Sequence, residues 1–381
     1  VTQVKSDLEQ DLVKIGPNAS VKEVSKAASK FMSRKCLPSP GDSSLLDEYF
    51  EKLGKPSIVQ EGFEQLSWTV VKDLFRPGWD RDYAAYCSET VVTNGACRET
   101  GRAKGGARDF IRKVHGIASF EQAVLTGKGL KFMDPEREVI VIDDGGKWRI
   151  VTIASAVQCY LAPLHNMIYD CLVNTGMILR GEATASSMKT LKRDRSTKDD
   201  VNVSGDYKSA TDNFIACHSQ LLLRWLQKQS RHVPSEIWEL AINSLVGTIR
   251  YRAKKDLRFG PSREGKQTNG QMMGNYLSFP LLCLTNICTV YAGLGKARAR
   301  ELRKAGLCKI NGDDIVLRLR SDEVKSWMDG VERAGLVLSP GKTWVHKRFF
   351  SLNSTFFRAD FERVHLIPIL RSKGIVLSDK Q

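Results

Sequence analysis

The stretch KINGDDIVLRLR at 309–320 constrains this chain more than any other. Two runs of alternating apolar and polar residues meet around Asn311-Gly312, a dipeptide that suits the tight turn between antiparallel strands. A hairpin is predicted, with Asp313 and Asp314 at its tip. Successive strand residues project to opposite sides, so these two carboxylates cannot fill identical roles. A third acid, Asp206, ends VNVSGD at 201–206, which reads as a short strand. If the two strands pair, Asp206 and Asp313 converge on one point. Carboxylates gathered that closely repel one another unless cations lie between them. Hard oxygen donors favour Mg2+ or Mn2+. Two such ions, about 3.5–4 Å apart, activate an attacking hydroxyl and stabilise a leaving oxygen in phosphoryl transfer. Alone, Asn-Gly-Asp-Asp is more often an ordinary polar turn; the rest of the chain has to decide.

Strands and helices alternate irregularly around that hairpin. EVIVID at 138–143 and KWRIVTI at 147–153 flank Gly145-Gly146 and predict a second hairpin. Alternation places Lys147 and Arg149 on one face of it. Residues 1–50 read as helical, with a break at Pro38, Pro40 and Gly41. Helices are predicted over 214–229, 233–246, about 276–291 and 321–334, the last ended by Gly335. A basic hairpin is expected at 247–260, a Gly- and Asn-rich loop at 266–274, and strands at 336–345 and 348–357. Short hairpin-linked strands mixed with helices predict an α+β fold on an antiparallel sheet.

The chain of 381 residues has 58 Lys and Arg against 43 Asp and Glu, a formal net charge of +15. The surplus is clustered at 98–115, 189–198, 250–266 and 296–304. Separated clusters suit a groove for a polyanion, with affinity for it falling steeply as salt rises. The cluster at 296–304 has helical spacing and reads equally as a solvated helix face. A membrane span is not expected: the longest apolar stretch, 279–295, is interrupted by Thr285, Asn286 and Thr289, and spanning takes roughly 20 apolar residues. Residues 1–9 show no secretory pattern, and a first residue of Val suggests a fragment or processed piece. Nine cysteines without zinc-site spacing read as reduced thiols in a cytosol-like compartment.

Seven segments occur in an order that resembles viral RNA-dependent RNA polymerases, more narrowly the ourmia-like (botourmiavirus) group related to narnaviruses, mitoviruses and leviviruses. They are KWRIVT at 147–152, RGEATASS at 180–187, SGDYKSATDN at 204–213, GQMMGNYLSFPLLCLTN at 270–286, NGDDIVLR at 311–318, LSPGKT at 338–343 and FFSLNSTFF at 349–357. The resemblance runs from about residue 93 to 357. It implies that Asp206 and Asp313 are direct ligands of two catalytic Mg2+ ions (Mn2+ able to substitute) and that Asp314 is an accessory one. It implies that Asp212 helps read the ribose 2′-OH and that Lys147 and Arg149 clamp the triphosphate. Gly270 and Gly274 would let the backbone approach nucleic acid or nucleotide, with Ser278 and Asn286 as candidate nucleotide contacts. Many related polymerases place an Asn eight residues after the glycine matching Gly274; here Leu282 stands there, and Asn286 follows one helical turn later. Lys342 resembles a lysine proposed to protonate pyrophosphate. Arg98, Arg102, Lys104 and Arg108 would line the template path, and Arg180 would touch template or nucleotide. The hairpin at 348–357 resembles one that braces the nascent strand, although Phe349, Phe350, Phe356 and Phe357 read at least half as core.

The implied architecture is a right-hand polymerase with an RRM-like antiparallel palm sheet, largely helical fingers and a truncated or minimal thumb. Its expected division is fingers at 1–160, palm at 161–213, a fingers insertion at 214–262, palm at 263–347 and a palm–thumb junction at 348–381. The implied activity is RNA-templated nucleotidyl transfer for a positive-strand RNA virus. Template and product RNA, nucleoside triphosphates and other viral or host replication factors are its implied partners, in the host-cell cytoplasm rather than the mitochondrion. Reverse transcriptase, two-metal nuclease and non-catalytic RNA-binding protein are the alternatives. A preference for deoxyribonucleotides, nucleotide release without triphosphates, or indifference to loss of Asp313 would identify each in turn.

Overall fold

The structure, a computed structural model, describes residues 2–39, 44–130, 136–208, 210–255, 257–339 and 341–371. Pro40 and Gly41 of the expected break, Pro340 and the end of the expected palm–thumb junction lie outside the described residues. Among the described residues the helices are α1 (Thr2–Val13), α2 (Val21–Ser33), α3 (Leu45–Gly54), α4 (Phe63–Leu74), α5 (Tyr83–Glu89), α6 (Gly106–Val114), α7 (Ile117–Thr126), α8 (Ala162–Asn174), α9 (Ala216–Gln229), α10 (Ser235–Asn243), α11 (Ser278–Ala305) and α12 (Glu323–Arg333). The strands are β1 (Arg137–Asp143), β2 (Trp148–Ile153), β3 (Asp200–Gly205), β4 (Gly247–Tyr251), β5 (Arg263–Gln267), β6 (Cys308–Asn311), β7 (Asp314–Arg320), β8 (Trp344–His346), β9 (Phe349–Leu352), β10 (Thr355–Ala359) and β11 (Val364–Leu366). The mixture is α+β.

The sheet that carries the acids has the order β6-β7-β3-β8. Every pairing in it is antiparallel, and β3 meets β7 in the register Gly205 to Ile315. Alternation along β7 sorts its two faces. Ile315, Leu317 and Leu319 enter the main core with Trp327 of α12 and Leu281, Leu284 and Ile287 of α11. Val316 joins the opposite cluster with Phe350 and Phe357. The sheet is therefore covered on both faces, by helices on one and by the β9–β10 hairpin on the other, and its apolar pattern is nearly continuous for that reason. The predicted hairpin is present, with the turn one residue later than expected. Asn311 pairs with Asp314, leaving Gly312 and Asp313 as the two turn residues. Gly312 has φ +63° while Asp313 does not have positive φ, the arrangement of a turn with glycine at its first central position.

A second sheet, β2-β1-β4-β5, holds the expected β1–β2 hairpin, and β4 joins β1 in parallel. The hairpin expected within 247–260 is corrected: β4 pairs with β5 at 263–267, beyond the expected hairpin and running two residues into the stretch read as a loop. The strand expected over 336–345 reduces to β8 and one bridge between Tyr207 and Leu338.

Helix α11 is longer than predicted. It bends at Gly295 (φ 79°, ψ 163°) and continues through the basic 296–304 cluster. Its first half carries the apolar stretch, and Leu281, Cys283, Leu284, Ile287, Cys288 and Val290 are fully buried. By length and composition alone it could cross a membrane, but most of its apolar window is buried inside this protein. The expected hairpin at the end of the resemblance is β9–β10, turned at Asn353 and Ser354 with φ of 55° and 54°. Phe349, Phe350, Phe356 and Phe357 are all core residues, at 0–1% exposure.

Candidate active site

The ladder between β3 and β7 brings the three acids to one end of the sheet. Asp206 follows the last residue of β3, Asp313 sits in the adjacent turn, and Asp314 starts β7. All three line a cavity of about 440 Å3. A second recess of about 720 Å3 adjoins it and shares Asp206 and Asp313, but not Asp314. Asp313 thus borders both recesses and Asp314 only the smaller one. Burial pushes the Asp313 carboxyl above its usual range, and the charge of Asp206 pushes it further. Asp314 is pushed up to about 7, by burial first and then by Asp313 and Asp206. The crowding of like charge expected from the sequence is therefore present.

Cations approach from two other segments. Asp206 is tied by its backbone to the loop before Lys342: Ser339 N–H donates to Asp206 O (2.8 Å) and Lys208 N–H to Val337 O (2.8 Å). That loop carries Lys342, whose Nζ lies 3.3 Å from Asp206 Oδ2. Lys147 and Arg149 both face the two recesses, as strand alternation predicts. Burial, with Arg149 and Lys342 close by, holds the Lys147 ammonium below its usual value. Arg149 is oriented by Asp144, to whose Oδ2 it donates from Nε (3.0 Å) and Nη2 (2.8 Å).

The larger recess also collects Asp212, Gly274, Ser278 and Leu282, together with Tyr49 and Lys52 of α3. Burial raises the Asp212 carboxyl, partly offset by Lys52, and Thr211 Oγ1 donates to it at 3.3 Å. Gly274 has φ +99°, and a side chain there would collide with the Thr152 carbonyl under β2; only glycine keeps this wall close to the strand. Ser278 Oγ donates to the Met272 carbonyl (2.7 Å) at the start of α11.

The structure does not bring Asn286 into either recess. It is fully buried, donates Nδ2 to the Gly312 carbonyl (3.0 Å) and accepts from the Tyr207 hydroxyl (2.5 Å). It braces the turn that carries Asp313 instead of facing a ligand. Leu282, one turn earlier, takes the cavity position. Gly270 is likewise internal: with φ +75°, a side chain would collide with Leu53, and its N–H donates to Phe214 O (2.8 Å). Arg180 stands outside both recesses, paired with Asp170 and lying 4.8 Å from the Tyr169 ring centre. Arg98 lines a separate small recess and lies 3.4 Å from Glu136. Arg108 donates to Val92 O (2.8 Å), and Arg102 and Lys104 lie exposed in a single 3-10 turn.

Sequence reasoning missed the N-terminal contribution. Glu9, Leu12, Phe31, Arg34 and Lys35 line the recess that holds the three acids. A capping box, Ser20 with Glu23, marks the start of α2, but no local signal says which face of it meets residues three hundred positions away.

Carboxylate oxygens from Asp206, Asp313 and Asp314 at one sheet end fit a hard divalent cation. Among the described residues, no three His, Cys, Asp or Glu side chains form a preassembled cage.

The profile of the family described as mitovirus RNA-dependent RNA polymerase matches residues 121–368. The chain is 26% identical over 413 aligned positions to the RNA-dependent RNA polymerase of Ourmia melon virus (isolate Melon/Iran/VE9), covering 93% of this chain and 47% of the relative, so it spans about half that protein's length. Its fold is similar to that of the RNA-dependent RNA polymerase from bacteriophage phi12, with a TM-score of 0.57, 10% identity, and coverage of 97% of this chain and 68% of the phage protein. With the family profile spanning well over half of its residues, the chain belongs to the mitovirus RNA-dependent RNA polymerase family.

Proposed function

We propose that this chain joins the 3′-OH of a growing RNA to the α-phosphorus of a nucleoside triphosphate, copying the genome of a positive-strand RNA virus and releasing pyrophosphate. One observation carries the reading: Asp206, Asp313 and Asp314 share a cavity with Lys147, Arg149 and Lys342, contributed by four separate stretches of chain. Under this reading β3, β6, β7 and β8 form the palm sheet, and the β1–β2 hairpin belongs to the fingers. The divisions at 160, 213, 262 and 347 follow from the family resemblance.

Asp206 and Asp313 would hold two Mg2+ ions with Asp314 assisting; bound there, the ions acidify the attacking hydroxyl and neutralise the leaving group. Lys147 and Arg149 grip the phosphates, where their charge meets the charge developing on pyrophosphate. Lys342, already at Asp206, is placed to deliver a proton to that leaving group. Asp212 and Ser278, on the recess that excludes Asp314, are positioned to accept from and bond to the ribose. Template RNA pairs with the incoming base, so the basic surface grips backbone and template affinity falls as salt rises.

Primer extension on an RNA template tests the reading. Asp313→Asn abolishes nucleotide addition, on the order of 10³-fold or more, while RNA binding persists and ribonucleotides are preferred over deoxyribonucleotides in the wild type. Full activity in Asp313→Asn, or a deoxyribonucleotide preference, would overturn it.

A further inference from the structure

One wall of the recess beside Asp206 comes from the N-terminal helices. Glu9 and Leu12, one helical turn apart on α1, face it together with Phe31, Arg34 and Lys35 at the end of α2. An apolar cluster fixes these helices in place: Leu12, Val24, Phe31 and Met32 pack with Trp344, Phe349 and Phe356. The tip of the β1–β2 hairpin closes the corner, since any side chain at Gly146 would collide with the Arg34 carbonyl. The N-terminal wall and the hairpin turn next to Lys147 thus pack backbone against backbone.

Arg34 is held rigidly. Its Nη1 donates to Phe31 O (2.8 Å), and its guanidinium carbon lies 3.5 Å from the Phe31 ring centre. Its Nε lies 3.5 Å from Glu9 Oε1. The same Glu9 oxygen lies 3.9 Å from Lys342 Nζ, which in turn meets Asp206 at 3.3 Å. A single carboxylate therefore stands between two cations of the cavity wall. Burial holds the Arg34 guanidinium below its usual value, partly offset by Glu9 and Asp206.

We infer that Glu9 is a built-in anion occupying the polyphosphate subsite of the free protein, and that Arg34 with Lys342 binds the polyphosphate of the nucleotide or leaving pyrophosphate once Glu9 is displaced. The inference rests on the polymerase reading above. A polyphosphate brings several charges and oxygens that fit the planar fork of Arg34 better than one carboxylate does. Glu9 thus keeps the cations ordered between turnovers and sets a threshold that a ligand has to exceed.

The test uses the full chain, inorganic tripolyphosphate with Mg2+ as the binding probe, and primer extension as a separate readout. Glu9→Gln tightens tripolyphosphate binding several-fold and lowers KM for the triphosphate with little change in kcat. Arg34→Gln weakens tripolyphosphate roughly tenfold or more, and combining it with Glu9→Gln removes most of the gain. If Arg34→Gln does not fold, Arg34→Lys keeps the charge without the fork and weakens binding less. Unchanged tripolyphosphate binding and KM in both single variants, with a wild type that binds the probe and extends primers, would reduce the pair to a structural tie and overturn the inference alone. A wild type that neither binds the probe nor extends primers would overturn the inference together with the polymerase reading.

Discussion

The two ends of the long helix α11 meet charge in opposite ways. At its C-terminal end three arginines meet acids. Arg298 donates to Glu323 (2.8 Å) and Glu301 (3.0 Å), while Arg300 and Arg303 converge on Asp73. Burial pushes the Asp73 carboxyl up, but bonds from Arg300 and Tyr291 hold it below the usual range. At the N-terminal end Ser278 and Leu282 border the recess that shares Asp206 and Asp313 with the cavity of the three acids, where like charges crowd together. Asp313 and Asp314 are raised and Lys147 is lowered, each chiefly by burial and then by neighbours of its own sign. Satisfied ion pairs fasten elements together; crowded like charges await a ligand that separates them. The difference lies in what the fold sets opposite each charge.

Substitutions at the two ends should break that comparison if it is wrong. Lys147→Ala lowers kcat/KM for the triphosphate roughly 10²-fold, whereas Arg300→Gln leaves it nearly unchanged; equal losses in steady-state kinetics would erase the distinction. Asn286→Ala lowers kcat roughly tenfold by loosening the turn under Asp313, with KM and ribose selectivity little altered. A large rise in KM instead would return Asn286 to the nucleotide. Glu323→Gln has the smallest effect on activity, within about twofold, yet costs about 1–3 kcal/mol of stability because two arginines lose a buried partner. Denaturant unfolding measures it, and a stable but inactive variant would place that cluster in the chemistry.

Much of the site was legible in the sequence because its signals are local. The Asp313-Asp314 hairpin, the β1–β2 hairpin with Lys147 and Arg149 on one face, and α12 ended by Gly335 (φ +86°) follow from alternation, turn residues and a glycine stop. What was missed depended on partners far away in the chain. Asn311 sits in β6 rather than in the turn, where its Nδ2 bonds to Leu179 O (3.0 Å). Strand β5 is an edge strand of mostly polar residues, REGKQ, so it lacks the alternation that marks a half-buried strand. Asn286 and Leu282 lie on neighbouring turns of a helix apolar nearly all round, and periodicity cannot say which one faces a ligand. Glu9 and Arg34 reach the cavity only through packing against Trp344, Phe349 and Phe356, which no spacing within 1–50 encodes.

The central claim is that the acids of β3 and of the β6–β7 turn share divalent ions. Anomalous diffraction from crystals soaked with Mn2+ and a non-hydrolysable nucleoside triphosphate tests it most directly. The account predicts Mn2+ peaks bound by both Asp206 and Asp313, with phosphate oxygens completing the shell near Lys147 and Arg149. Peaks elsewhere, or a nucleotide bound with these two carboxylates metal-free, would contradict it.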